Sequence, residues 1–185
     1  MKHAAIPMFG MILTIPMFGA ILTILTILLL TPIALLMILM KIDFGIHQNS
    51  ENSRRVGIAS ENVRWIVDDL TQPSALRRLG PIDLWHDRAV LHFFTAKEEQ
   101  DTYFELLRSL VKPDGFVIIA AFNLNGPNQC SGLSVYRYDE NILLKNLGSD
   151  FHLIDAFGYT YLMPSGEPRA FIYTLFKRDN ECLPK

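Results

Sequence analysis

The feature that most constrains this chain is its amino-terminal hydrophobic run, because residues 4–40 contain no charged side chain. A bilayer-spanning helix needs about 20 consecutive apolar residues, and this run exceeds that length. Buried parallel strands also read as continuous apolar stretches, so a strand remains the alternative. The length favours a membrane helix, and it is too great for the apolar region of a cleaved signal peptide. We therefore expect residues 1–40 to be a retained hydrophobic membrane anchor.

The basic residues around this run predict its orientation. Lys41, Arg54 and Arg55 follow the run, whereas only Lys2 precedes it. Because Lys and Arg are enriched on the cytoplasmic side of membrane spans, we expect a single-pass protein whose soluble domain faces the cytoplasm.

The remaining composition excludes several classes of partner. The net charge is -2 and the sequence pI is about 6.2, which disfavours nucleic acid because its binders gather basic residues on one face. Cys130 and Cys182 lie far apart, without a CxxC pattern or a cluster of His residues. The sequence therefore predicts neither a metal site nor a disulfide framework.

Residues 41–185 alternate between strand and helix patterns, with buried strands expected at 63–67, 82–86 and 116–122 and another at 38–42. Thr95 and Glu98 suggest a capping box for a helix that ends before the Lys-Pro-Asp-Gly turn, and Asp139 suggests a cap for a helix at 142–147. Strands at 151–162 and 170–176, joined by a turn at 164–166, predict a hairpin. These patterns predict the α/β fold class, with a partial, doubly wound Rossmann-like sheet and an antiparallel carboxyl-terminal hairpin.

Polar residues follow three of these strands, at the edge where such sheets bind ligands. They are Asp43 after the first strand, Asp68 and Asp69 after the second, and the triplet His86, Asp87 and Arg88 after the third. A single acid after a strand is more often a loop residue or a helix cap. Acids after three successive strands favour a nucleotide-like ligand, because their carboxylates can accept hydrogen bonds from its ribose hydroxyls.

Three sequence stretches resemble a known family. They are DLWHDRAVLHFFT at 83–95, LLRSLVKPDGFVIIAAF at 106–122 and NGPNQCSGLSVYRYD at 125–139. The first is similar to the fourth-strand motif of a bacterial subgroup of the class I, Rossmann-type S-adenosylmethionine (SAM)-dependent methyltransferases. The second is similar to the turn and fifth strand common to that class.

The resemblance implies SAM as cofactor and assigns roles to the polar residues. Asp43 would bind the ribose hydroxyls, and Asp69, with its neighbours Asp68 and Leu70, would hold the adenine. His86 would also contact the cofactor, whereas Asp87 and Arg88 would act at the site of methyl transfer. Arg88 has an alternative role, pairing with the cofactor carboxylate. His92 is more simply interpreted as a residue of the core edge, and Cys130 as unreactive.

One departure from the family limits these expectations. The family's glycine-rich loop should lie about 20 residues before the ribose acid, but residues 20–26 read AILTILT. This predicts an incomplete methyltransferase domain at 41–185, two unpaired inner sheet edges, and SAM binding weaker than micromolar. The leading hypothesis is a methyltransferase acting on a small-molecule or protein acceptor. The alternatives are a non-catalytic truncated remnant and a membrane-anchored interaction module.

Overall fold

The computed structural model describes residues 38–40, 66–163 and 165–180. These residues form eight strands and two α-helices. The strands are β1 (Ile38–Met40), β2 (Ile66–Asp68), β3 (Ile82–Arg88), β4 (Val111–Phe122), β5 (Gln129–Cys130), β6 (Leu133–Ser134), β7 (Phe151–Leu162) and β8 (Pro168–Arg178). The helices are α1 (Lys97–Leu110) and α2 (Glu140–Leu147), and single 3-10 helical turns lie at Leu76–Arg78 and Leu91–Phe93.

The main sheet has four strands in the order β3-β4-β8-β7. β3 and β4 are parallel, whereas β8 runs antiparallel to both of its neighbours. β1 and β2 form a separate parallel pair, and β5 and β6 form a small hairpin. This confirms the predicted α/β class and its carboxyl-terminal antiparallel hairpin.

The predicted membrane helix falls largely outside the described residues. In the part of the chain that the structure describes, no helix is both long and apolar enough to cross a membrane. The last three residues of the charge-free run, Ile38–Met40, form strand β1 alongside β2. Residues 4–37 lie outside the described residues, so the anchor remains a prediction.

β4 begins earlier than the sequence predicted because it contains the Lys-Pro-Asp-Gly turn as a bulge. Ile82 of β3 pairs with Val111, whereas Leu84 already pairs with Phe116. The bulge uses a left-handed backbone at Asp114, where φ is 62°. At Gly115, an added Cβ would lie 2.7 Å from the carbonyl oxygen of Lys112. The predicted turn is therefore present, but the strand continues on both sides of it.

Both helix caps are local, although one is displaced from its predicted position. The Glu99 carboxylate accepts a hydrogen bond from the Ala96 N–H at 3.1 Å, so the predicted Thr95–Glu98 capping box is wrong by one residue. At α2 the prediction is confirmed, because Asp139 Oδ1 accepts from the Ile142 N–H at 2.7 Å and Gly148 follows the helix with a φ of 89°.

Alternating side chains give the four-stranded sheet two distinct faces. On the helix face, Trp85 of β3 packs in one core with side chains of α1, α2 and β2, among them Tyr103, Leu143 and Ile66. The other face, which we call the aromatic face, is rich in aromatic rings from β4, β8 and β7. Its members are Phe122, Phe171, Tyr173, Phe157, Tyr159 and Tyr161.

Candidate ligand site at the carboxyl ends of the strands

Asp68 ends β2 and organises the loop that follows. Its carboxylate accepts from the backbone N–H groups of Ser74 at 2.9 Å and Leu76 at 2.8 Å. Partial burial raises its pKa, but these hydrogen bonds outweigh that effect and leave the pKa below its usual value. A carboxylate committed to backbone donors in this way holds the loop and its 3-10 helical turn in place.

Asp69 and Leu70, which follow Asp68, differ in how far their side chains are exposed to solvent. Asp69 is exposed, and its carboxylate accepts from the N–H of Thr71 at 2.9 Å and from its hydroxyl at 2.7 Å. Leu70 is only 2% exposed and its side chain packs in the core. A ligand beside this loop would therefore meet the Asp69 carboxylate, whereas Leu70 has only backbone groups to offer. Asp43 lies outside the described residues.

Asp87 points to the helix face and is buried, with 5% of its surface exposed. One carboxylate oxygen accepts from the Val90 N–H at 3.0 Å. The other accepts from the Leu91 N–H at 3.1 Å and from the Tyr103 hydroxyl at 2.7 Å. Both oxygens thus fix the turn after β3. The geometry favours a positioning role for Asp87 over the predicted catalytic one.

A buried hydrogen-bond chain supports this carboxylate from α1. Trp85 Nε1 donates to the Tyr103 hydroxyl at 2.9 Å, and that hydroxyl donates to Asp87. Burial raises the pKa of Asp87 to about 6, and the hydrogen bonds from Tyr103, Val90 and Leu91 partly offset the rise. Burial, with the charge of Asp87 beside it, also raises the pKa of Tyr103.

Arg88 ends β3 on the opposite face, because successive side chains of a strand alternate. It is half-buried; its Nε donates to the Tyr173 hydroxyl at 3.1 Å, and its guanidinium carbon lies 5.7 Å from the centre of the Phe171 ring. Among the described residues no carboxylate forms an ion pair with it. The structure therefore separates the two predicted catalytic residues, and in the part of the chain that it describes the Nη groups of Arg88 meet no acidic partner.

Strand register explains how Arg88 reaches a tyrosine two strands away. Arg88 pairs with Ala120 of β4, and Ala120 pairs with Tyr173 of β8. Neighbouring strands are about 4.8 Å apart, so the long side chains of Arg88 and Tyr173 meet above the small methyl group of Ala120. Tyr173 in turn pairs with Phe157 of β7 and stacks on it, with ring centres 5.3 Å apart.

Backbone strain lies directly beside this arginine. Ala89 adopts a φ of 65° and donates its N–H to the Ala120 carbonyl at 2.8 Å. A left-handed conformation at a residue with a Cβ costs roughly 1–2 kcal/mol and is over-represented at functional sites. Two sets of hydrogen bonds hold this strained turn at the end of β3: those from the turn to the Asp87 carboxylate, and the one from Ala89 to Ala120.

His86 shares the aromatic face with Arg88, two positions earlier on β3. Its side chain is exposed, although enough protein surrounds the ring that desolvation, followed by the positive charge of Arg88, lowers the pKa of His86. The imidazole is therefore neutral at pH 7. It can donate or accept a hydrogen bond there without adding a second positive charge.

His92 is a polar residue whose side chain is enclosed by the core. As expected for the core edge it is buried, with 0% exposure, and it stacks on Phe122 with ring centres 4.4 Å apart. Both ring nitrogens have no hydrogen-bond partner among the described residues. Burial, reinforced by the charge of Arg169, lowers its pKa to about 4, so the ring packs as a neutral aromatic side chain.

The described residues contain no group of three or more His, Cys, Asp or Glu side chains that could hold a metal ion.

Solved structures of SAM-dependent methyltransferases are similar to this chain. One such enzyme from Methanosarcina mazei matches with a TM-score of 0.57 at 12% identity, over 76% of this chain and 80% of its own. The N-methyltransferase NodS from Bradyrhizobium japonicum matches with a TM-score of 0.57 at 12% identity, over 76% and 71%. The 1,6-didemethyltoxoflavin-N1-methyltransferase of Burkholderia thailandensis, whose structure holds S-adenosylhomocysteine (SAH), matches with a TM-score of 0.50 at 20% identity, over 71% and 56%.

These likenesses establish the methyltransferase fold that the sequence predicted. No protein-family model matches the chain, and no curated protein matches its sequence. The bacterial subgroup suggested by residues 83–95 stays a prediction. The chain spans 63% of the length of another matched protein, from echinomycin biosynthesis, and 56% of the Burkholderia enzyme.

Proposed function

We propose that this chain is a SAM-dependent methyltransferase that acts on a small-molecule or protein acceptor. The observation that carries the proposal is the end of β3, where a strained turn presents Arg88, half-buried and with no acidic partner among the described residues, in a sheet of the methyltransferase fold. In open α/β sheets the carboxyl ends of the parallel strands are where ligands bind. An arginine with free donors at that edge suits an anionic ligand.

The loop after β2 fits the adenine end of SAM. Asp69 is exposed there, so an adenine amino group beside this loop can reach its carboxylate and donate a hydrogen bond to it. Asp68 fixes the loop that carries Asp69 and Leu70. Asp43 remains the proposed partner of the ribose hydroxyls, and His86 the proposed contact near the methionine part.

When bound, SAM supplies a sulfonium-bound methyl group that an acceptor atom can attack. The work of the protein is then mainly to align the acceptor and to exclude water, since positioning alone can supply much of the rate of such a transfer. Arg88 and the aromatic face would orient the acceptor. Asp87 would act indirectly, because its hydrogen bonds to Val90 and Leu91 fix the turn beside Arg88.

The proposal is tested with the full chain and SAM carrying a labelled methyl group. A small-molecule extract and a protein extract are offered separately, and we expect label to appear in one of them. Arg88→Gln should reduce the transfer at least tenfold, whereas Arg77→Gln should not, because Arg77 is an exposed residue paired with Glu105 away from the aromatic face. No transfer to either extract, together with no binding of SAH, would favour the non-catalytic remnant.

A further inference from the structure

The surroundings of Arg88 differ from those of an ordinary surface arginine. Its Nε is occupied by the Tyr173 hydroxyl at 3.1 Å, and its guanidinium lies near the Phe171 ring, 5.7 Å from carbon to ring centre. These two contacts fix the plane of the guanidinium. The Nη donors, which form the fork that binds planar carboxylates in a bidentate manner, have no acidic partner among the described residues.

The surface beside Arg88 is apolar and aromatic. Phe157 and Tyr159 of the edge strand β7 are half-buried on the same face, and both rings contact Tyr173, with ring centres 5.3 Å and 6.3 Å away. Aromatic rings favour stacked or edge-to-face contacts with another ring. A ligand whose carboxylate lies on the Nη donors would therefore find aromatic side chains for its own ring.

His86 completes the polar part of this surface. It lies two residues before Arg88 on the same face of β3, about 6.6 Å along the strand. Its exposed ring offers one hydrogen-bond donor and one acceptor in the neutral form. The surface thus consists of six residues: His86, Arg88, Phe157, Tyr159, Phe171 and Tyr173. Because Arg88 is the only cation in this group, the group matches a ligand with a single negative charge. We call this group the arginine seat.

We propose that the arginine seat binds the methyl acceptor and that this acceptor is a small aromatic carboxylic acid. The carboxylate lies on the Nη donors of Arg88, and the ring lies against Phe157 and Tyr159. That the ligand is the methyl acceptor rests on the proposed function, whereas the binding of an aromatic carboxylate does not. The cofactor also has a carboxylate, so the test must separate the two ligands.

The test uses the full chain in mild detergent with 4-fluorobenzoate as the probe, followed by fluorine NMR. We expect 4-fluorobenzoate to bind saturably and the neutral 4-fluorobenzamide to bind at least tenfold more weakly. This comparison needs no variant, so it does not depend on whether a substitution disturbs folding. Equal binding of the amide, or equal binding of acetate in place of the aromatic acid, would overturn the proposal.

Variants then assign the binding to individual side chains. Arg88→Gln should weaken the binding of 4-fluorobenzoate about tenfold or more. Arg88→Lys should weaken it about threefold, because a lysine keeps the charge but lacks the planar fork of donors. Tyr173→Phe should weaken it about threefold, since Arg88 loses the partner that orients it. Arg77→Gln is the matched control and should bind as the parent does. A parent-like affinity in Arg88→Gln would contradict the assignment.

SAH separates the acceptor from the cofactor. If the arginine seat belongs to the acceptor, 4-fluorobenzoate binds equally with and without saturating SAH, and Arg88→Gln leaves the affinity for SAH unchanged. Displacement of the probe by SAH would instead assign Arg88 to the cofactor carboxylate and overturn the proposal. Probe binding without any SAH binding would retain the arginine seat but remove the proposed methyltransferase function, so the two failures are distinguishable.

Discussion

At the scale of residues, Asp87 and Arg88 are adjacent in sequence but act on opposite faces of the sheet. Asp87 uses its carboxylate to fix the turn from below, and Arg88 presents its guanidinium to the aromatic face. The family resemblance suggested both as residues of the methyl-transfer site, and the sequence predicted that β3 ends before them, at His86. The parallel pairing of Asp87 with Ile119 and of Arg88 with Ala120 extends β3, and strand alternation then separates the two side chains. Such pairing depends on a distant strand and has no local signal.

The burial of Asp87 has a consequence for stability that depends on pH. The folded protein holds the pKa of this carboxyl at about 6, above the unfolded value of about 3.9. Its contribution to stability is therefore greatest below about pH 4 and falls as the pH rises to about 6, because ionisation is easier in the unfolded chain. Asp87→Asn removes this titration. When the pH is lowered from 7 to 4, the free energy of unfolding of the parent should rise by about 2–3 kcal/mol relative to that of the variant.

Urea unfolding of the parent and of Asp87→Asn at pH 4, 5 and 7 measures this difference directly. Other titrating groups are common to both proteins and cancel in the comparison. A difference in unfolding free energy that stays constant over the whole range would show that Asp87 is not held in a desolvated site.

At the scale of elements, helix caps were predicted to within one residue, whereas strand bounds that depend on distant partners were not. The α2 cap at Asp139 and the stop at Gly148 depend on residues within one helical turn, so the sequence was sufficient. The α1 cap was misplaced by one residue because Glu98 and Glu99 are both acidic and only the fold selects Glu99. β4 was predicted too short because Val111 joins it through Ile82, a distant partner.

The α2 cap gives a prediction with a matched control in the same helix. Asp139→Ala should lower the free energy of unfolding by about 1 kcal/mol, because the Ile142 N–H loses its acceptor. Asn141→Ala alters an exposed residue of the same helix and should change stability by less than about 0.5 kcal/mol. Asp139→Asn keeps an acceptor and should restore most of the loss. Equal effects of the two alanine variants, measured by urea unfolding, would contradict the assigned cap.

At the scale of the whole molecule, the described strands form a parallel pair, a four-stranded sheet and a small two-stranded hairpin. In the described part of the chain β1 pairs only with β2, and β3 pairs only with β4. The sequence predicts two unpaired inner sheet edges from the missing glycine-rich loop, and this stays a prediction because residues 4–37, where a replacement strand would lie, are outside the described residues. It could not show that Ile66 of β2 would share a core with Trp85 of β3, since that contact joins distant segments.

The hydrophobic run gives a prediction about location. We expect the full chain to remain in the membrane pellet after carbonate extraction, because residues 4–40 carry no charge and exceed the length of a spanning helix. As a control, Leu25→Asp with Leu28→Asp in the same chain should release it, since acidic residues at the centre of a span cost about 2.5–3.5 kcal/mol each. Recovery of the parent chain in the carbonate supernatant would refute the anchor.

The central claim is that this fold holds SAM although its glycine-rich loop is absent, and calorimetric titration of the full chain with SAH tests it most directly. We predict saturable binding with a dissociation constant between about 1 μM and 1 mM, which corresponds to a binding free energy of about -8 to -4 kcal/mol. Asp69→Ala should weaken it by about 1.5–3 kcal/mol through loss of a charge-assisted hydrogen bond. Absence of saturable heat at millimolar SAH, or unchanged binding in Asp69→Ala, would contradict the account.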